Sequence, residues 1–153
     1  MDEIDRNILI ALQQDGAAGL ADLAKVAGLS VSATAERVKR LEERGTIRGW
    51  RADLDPAAVG CPLLAWVMVR LRPGRDDAAF RAAMVEREPV LECHAVTGPY
   101  SYLLKLRLPD LAVLERFEAE IRALAGVELT ETVVTTASVK ETSILPVSEA
   151  DEE

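Results

Sequence analysis

Apolar positions follow a helical period through the first fifty residues and an alternating period after that. Ile4, Ile8, Leu9 and Leu12 recur at i, i+4, i+5 and i+8, which puts them on one helix face. Asp2 reads as the N-cap of that helix and Gly16 as its stop. A shorter segment, Leu20 to Ala27, turns Leu23, Val26 and Ala27 to one side and ends at Gly28. Ser30 then caps a third helix that runs to about Arg44 and stops at Gly45, with Thr34, Val38 and Leu41 as its inward set. Ile47 through Leu54 reads as an extended strand, with Gly49 allowing a bend.

Residues 55–62 hold Pro56, Gly60 and Pro62, a boundary by composition. From Leu63 the pattern changes. Leu63–Arg72 is a strand with Ala65, Val67, Val69 and Leu71 on one face and Leu64, Trp66 and Met68 on the other. A helix over Asp76–Glu88 buries Phe80, Ala83 and Met84. Strands follow over Val90–Thr97 and Tyr100–Leu108, the second alternating Tyr102, Leu104, Leu106 and Leu108 with Lys105 and Arg107. Leu114, Phe117, Ile121 and Leu124 mark a helix over Leu111–Ala125, which Gly126 stops. A Thr/Val-rich strand, Val127–Val139, closes the pattern.

The expected fold class is α+β. A three-helix winged helix-turn-helix is followed by a ferredoxin-like βαββαβ unit of the dimeric α+β barrel type. The expected limits are 1–54 for the helical domain, 55–62 for the linker, 63–147 for the second domain and 148–153 for a disordered acidic tail. Both helices of the second domain cover one sheet face, yet the first strand is apolar on both. The uncovered face is therefore expected to meet another sheet in a homodimer.

Composition narrows the function. The chain has 153 residues, with 18 Lys+Arg against 26 Asp+Glu and a net charge of -8. That sum disfavours a uniformly basic coat for indiscriminate nucleic-acid binding, but it leaves room for a local basic face. Two cysteines, Cys61 and Cys93, support neither a disulfide framework nor a four-ligand zinc site. No apolar run is long enough to span a bilayer, and the acidic N-terminus carries no signal-peptide pattern. The expectation is a soluble cytoplasmic protein with no membrane partner, no metal and no cofactor.

The third helix carries the chemistry. Its outward residues are Ser32, Ala33, Glu36, Arg37 and Arg40, and Lys39, Arg44, Arg48 and Arg51 extend the surface. Residues 36–51 hold six basic and three acidic residues, against a sum of -1 over the first 53 positions. Side chains at a helix N-terminus reach base edges, while Lys and Arg fix register on phosphates. Small Ser32 and Ala33 permit close approach to the groove floor, and Ala33 suits a thymine methyl. Glu36 repels phosphate, though a carboxylate there can accept a hydrogen bond from cytosine. The expected contacts with double-stranded DNA are Ser30, Ser32, Ala33, Glu36, Arg37, Lys39, Arg40, Arg44 and Arg48. The plain alternative is an amphipathic helix with a solvated charged face.

At these residues a resemblance enters. The segment from Ile4 to Trp50 resembles the helix-turn-helix of the Lrp/AsnC, or feast/famine, transcriptional regulators. HAVTGPYSYLLKL resembles that family's VTG-x-x-D-Y-L-L loop, and the stretch from Ala125 to Val147 resembles its closing strand and ETT-x-LP-like end. The likeness spans roughly residues 2 to 147. It implies a ligand-sensing second domain, sheet-to-sheet dimers, and assembly to tetramers or octamers. It also implies a small effector, an amino acid or related metabolite, at the loop Thr97, Gly98, Pro99, Tyr100, Ser101, Tyr102 and Leu103. Thr132 and Thr136 of the last strand are expected to complete that pocket.

Several positions depart from the family pattern. Ser101 stands where the family usually has Asp and cannot supply its charge to an ammonium group. Pro99 stiffens the loop and removes a donor. Val31 replaces a common Pro, Ala17 a frequent Arg, and Glu36 a common basic residue. Of the remaining residues, Trp50 is expected to pack between the helical module and its linker. His94 and Glu92 are the only acid–base candidates for a small dimeric barrel enzyme, and no partner for either is visible in the sequence. An architectural DNA-binding protein without an effector is the other reading.

Overall fold

The computed structural model describes residues 1–74 and 77–147. The expected acidic tail, 148–153, lies outside the described residues. The chain divides into two compact units, one of residues 1–53 with the segment from Lys140, the other of residues 54–139.

The helical unit contains α1 (Glu3–Gln14), α2 (Leu20–Ala27) and α3 (Val31–Glu43). Asp2 caps α1 by accepting from the Asp5 N–H at 2.8 Å. Ser30 caps α3 by accepting from the Ala33 N–H at 3.2 Å. Ile8, Leu12, Leu23, Ala27 and Leu41 form the core. Thr34 is fully buried, and its hydroxyl donates to the Ser30 carbonyl at 3.0 Å. Val26 does not join this core: it is 52% exposed, and Ala24 takes the inward place. Leu23, Ala24 and Ala27 follow i, i+1, i+4, so the buried stripe is rotated by one position.

One further expectation needs correction here. The strand over Ile47–Leu54 does not form: among the described residues it joins no ladder. An extended segment becomes a strand only against a second strand, and none adjoins it in this unit. The segment 140–147 lies against the helical unit. Gln13 holds it by both amide groups, Nε2 donating to the Leu145 carbonyl at 3.0 Å and Oε1 accepting the Leu145 N–H at 2.7 Å.

The second unit contains β1 (Leu63–Leu71), α4 (Ala78–Val85), β2 (Val90–Ala95), β3 (Tyr102–Leu108), α5 (Leu111–Ala123) and β4 (Val127–Val134). The sheet order is β2-β3-β1-β4, and each pairing is antiparallel. Ala65, Val67, Val69, Leu104 and Leu106 are wholly buried beneath Phe80, Met84, Leu114, Phe117 and Ile121 of the helices. The opposite face carries Trp66, Met68, Leu103, Lys105 and Val133, brought side by side by the register Trp66↔Lys105, Trp66↔Val133 and Met68↔Leu103. The last strand stops earlier than the expected Val139. Thr135 N–H still bonds the Leu64 carbonyl at 2.9 Å, but β1 begins at Leu63 after Pro62, so later residues have no strand to pair with.

Candidate functional site

The recognition geometry begins at the turn between α2 and α3. Gly28 takes φ 65, the left-handed conformation that glycine reaches without a Cβ penalty. The Leu29 N–H closes back on the Ala24 carbonyl at 3.1 Å. The chain then extends through Ser30 and enters α3. Ser30 Oγ is also 3.2 Å from Ser32 Oγ, so the Ser30 hydroxyl serves the helix start while Ser32 stands exposed. Glu36, Lys39 and Arg40 are exposed as expected, whereas Ala33 and Arg37 are half-buried.

The charges on α3 are already partnered. Arg37 Nη1 bonds Asp2 Oδ2 at 2.6 Å and Asp5 Oδ1 at 2.7 Å. Arg40 pairs with Glu36 at 3.2 Å and Lys39 with Glu43 at 3.6 Å. The Asp5 backbone N–H, and then Arg37, hold the Asp2 carboxyl below its ordinary range. Beyond α3, Trp50 donates its indole N–H to Glu42 Oε1 at 2.7 Å, which draws residues 45–50 back along the helix. This bond fixes Trp50 on the helical module through α3.

The loop before β3 is shaped by its own backbone. Gly98 has φ 109, and the Val96 N–H bonds the Ser101 carbonyl at 3.1 Å. Ser101 anchors this loop to β1: its N–H donates to the Val69 carbonyl at 2.8 Å, and its Oγ accepts the Leu71 N–H at 3.1 Å. The Tyr100 hydroxyl donates to Glu131, and that carboxylate raises the phenol pKa. Thr97, Gly98, Pro99, Tyr100 and Ser101 are thus gathered in one turn.

The other expected pocket residues do not join that turn. Tyr102 is 3% exposed on the helix-covered face. Its hydroxyl donates to Asp77 Oδ2 and accepts from Arg81 Nε, both at 2.5 Å, and its ring stacks at 5.0 Å from Phe80. Leu103 points to the opposite sheet face, because neighbouring strand residues alternate. Thr132 pairs with Val67 on the helix side, where its hydroxyl oxygen is buried without a hydrogen-bond partner among the described residues. Thr136 lies past the end of β4 and is exposed. The expected shared face for Thr132 and Thr136 fails because β4 ends between them.

The acid–base candidates have partners that sequence spacing did not reveal. His94 Nε2 is 3.0 Å from Glu92 Oε2, and Lys105 Nζ is 3.3 Å from Glu92 Oε1. The bond with His94, and then Lys105, hold Glu92 below the usual carboxylate range, against the opposing effect of burial. Lys105 also stands 5.8 Å from the centre of the Trp66 ring. Cys93 faces the helices, where burial pushes its thiol up. Both cysteines are unbridged. Among the described residues no cluster of three metal-ligating side chains occurs, and no helix is long and apolar enough to cross a membrane.

A capped helix-turn-helix in one unit and a split βαβ sheet with a glycine loop in the other define a class: DNA-binding regulators with a separate sensing domain. Comparison with known proteins sharpens the class. Residues 1–42 match the AsnC-type helix-turn-helix domain, and residues 64–145 match the Lrp/AsnC ligand binding domain. The chain is 40% identical over 148 residues to the leucine-responsive regulatory protein of Escherichia coli K12, covering 95% of this chain and 90% of that protein. It is 36% identical over 147 residues to the HTH-type transcriptional regulator FL11 of Pyrococcus abyssi, covering 96% and 97%. The crystal structure of the regulator NMB0573 of Neisseria meningitidis with L-Met matches with a TM-score of 0.90 at 30% identity, over 95% of this chain and 96% of that one. The feast or famine regulatory protein Rv3291c of M. tuberculosis, complexed with L-methionine, matches at 0.84 and 38%, over 94% and 97%. This chain belongs to the Lrp/AsnC family of transcriptional regulators.

Proposed function

We propose that α3 reads base edges through its N-terminal turn while an amino acid or related metabolite bound at the 97–101 turn adjusts the assembly that presents it. The protein acts in the cytoplasm as a regulator and not as an enzyme. The observation that carries the reading is the α2–Gly28–α3 turn, which leaves Ser32, Ala33 and Glu36 at the start of a capped helix with Ser32 and Glu36 exposed. The open sheet face supports dimers: Trp66, Met68, Leu103 and Val133 lie together there, on the face opposite α4 and α5. In such a dimer two recognition helices reach half-sites about one helical turn apart, or a multiple of it. Further assembly raises the effective concentration at adjacent sites, so weakly basic heads bind together. An effector shifts that assembly only through its differential affinity for two arrangements.

The L-methionine complexes of two structural relatives support an amino-acid effector. Ser101 changes what this chain offers it. Its hydroxyl is bonded to the Leu71 N–H and brings no charge to an ammonium group, so we assign recognition to the backbone of Gly98 and its neighbours.

The test is fluorescence-anisotropy binding to the DNA upstream of this gene against a scrambled duplex, across salt concentrations and with a panel of amino acids. Preferential, salt-sensitive binding that one amino acid alters supports the reading. Equal binding to both duplexes without a ligand response favours an architectural protein, and no binding to either duplex overturns the regulator.

A further inference from the structure

Six cations lie along α3 and the segment after it, and their surroundings differ. Lys39 and Arg40 are exposed and pair within α3 at i, i+4. Such pairs are weak and exchange readily. Arg37 is different in kind. Its side chain is 26% exposed, and one guanidinium nitrogen bridges Asp2 and Asp5, the second of which is 14% exposed. Asp2 uses its other oxygen to cap α1. One carboxylate thus joins the start of α1 to the middle of α3. Moving Arg37 to a phosphate would leave two acidic groups behind without their cation.

Arg44, Arg48 and Arg51 have no such ties. They are exposed, and among the described residues none has a carboxylate within ion-pair distance. The stretch that carries them is nevertheless held in place. Ile47 N–H bonds the Leu41 carbonyl at 3.1 Å and its side chain packs on the helical core. Trp50 is tied to Glu42 and lies against Gly16. Three unpaired guanidiniums are therefore carried on an anchored ridge directly after the recognition helix.

We propose that Arg37 is a positioning residue that sets the angle of α3 on α1, and that phosphate anchoring falls to Arg44, Arg48 and Arg51. This rests on the DNA-binding reading above. It separates two quantities that a uniformly basic helix would merge. Each phosphate neutralised contributes about 0.9 to the slope of log K against log salt. Base discrimination depends instead on where α3 sits in the groove.

The test uses the full chain and two labelled duplexes, one selected from a random pool by the wild-type protein and one scrambled. Arg37→Gln, Asp2→Asn with Asp5→Asn, and Arg44→Ala, Arg48→Ala and Arg51→Ala are compared at a temperature where circular dichroism shows all of them folded. Each single alanine variant after α3 lowers the salt slope by about 0.9 per subunit engaged and weakens both duplexes alike. Arg37→Gln and the double Asn variant leave the slope unchanged and lower the ratio of selected to scrambled binding by about tenfold, the size of one lost base contact. A merely stabilising clamp would leave that ratio intact once the protein is folded, which would overturn the positioning role. A lower slope for Arg37→Gln, or tighter binding of both duplexes by the double Asn variant, would make Arg37 a phosphate contact held in reserve and overturn the proposal. Wild-type protein that enriches no duplex from the pool and leaves the scrambled one unbound in low salt would overturn the DNA-binding reading itself.

Discussion

Ser30 offers a sharp separation of folding from DNA contact. Its Oγ accepts the Ala33 N–H at 3.2 Å, satisfying one of the free donors at the start of α3. Its carbonyl accepts both the N–H and the hydroxyl of Thr34, each at 3.0 Å, and that backbone role survives any substitution of the side chain. What is at stake is the cap, together with the exposed hydroxyl contact to Ser32. Ser30→Ala should cost about 1 kcal/mol, the usual value of a lost hydroxyl cap. If the helical unit melts separately, that is about 4–8 °C in Tm; if the whole chain melts together, about 2–4 °C. Ser30→Gly should lose only a few tenths of a kcal/mol, roughly, because glycine is itself a tolerated cap. Ser30→Asp should match or exceed the wild type, since a carboxylate caps equally well and meets the positive end of the helix dipole. On the proposed DNA contact at position 30, the same Asp should repel phosphate and weaken DNA binding in anisotropy titrations. Differential scanning calorimetry of the three variants supplies the stability order. An Asp variant as unstable as the Ala variant would refute the capping argument. An Asp variant with unaltered DNA affinity would remove Ser30 from the interface.

Four further outcomes follow from the geometry. Tyr102→Phe keeps the ring against Phe80 and should leave effector titrations unchanged, whereas Tyr102→Ala should cost about 3–5 kcal/mol by opening the core, read by denaturant unfolding. Asp2 has its folded pKa depressed by the Asp5 N–H and by Arg37, so its contribution to stability is present above the unfolded value of about 3.9 and is lost as pH falls through the folded one; the Tm gap between wild type and Asp2→Asn should be widest at neutral pH and close on acidification. Trp66→Glu places a charge on the open sheet face and should shift the protein toward monomer in light scattering while its helical circular dichroism persists; an unchanged mass would mean that this face is not the contact. Ser101→Asp retains an acceptor for the Leu71 N–H and adds a negative charge, so calorimetric titrations with ordinary amino acids should tighten, and unchanged curves would contradict the role given to position 101.

Local signals along the chain marked out most of the elements. Helical spacing of Ile8 and Leu12, alternation of Tyr102, Leu104, Leu106 and Leu108, and the caps Asp2 and Ser30 all act over a few residues, so order along the chain is enough to read them. The basic cluster after residue 36 was legible for the same reason. What failed was whatever depends on a distant neighbour. Residues 47–54 have strand-like composition yet lack a strand to pair with, and β4 ends where its antiparallel partner β1 begins, a limit no pattern inside β4 contains.

The candidate site divides along the same line. Ser32, Ala33 and Glu36 follow from the register of one helix once its cap is known. Arg37 looks the same as Arg40 in the sequence, since both are outward cations on that helix, and only packing of α3 on α1 brings Asp2 and Asp5 to it across 35 and 32 positions. Tyr102 and Ser101 are adjacent in the loop motif, yet one enters the core and the other ties the turn to β1. Gln13 meets Leu145 across 132 positions. Periodicity and capping are properties of neighbouring residues and are written in the order of the chain. Which cation is free, which hydroxyl is taken and which strand is short are set by atoms that only the folded backbone brings within hydrogen-bond reach.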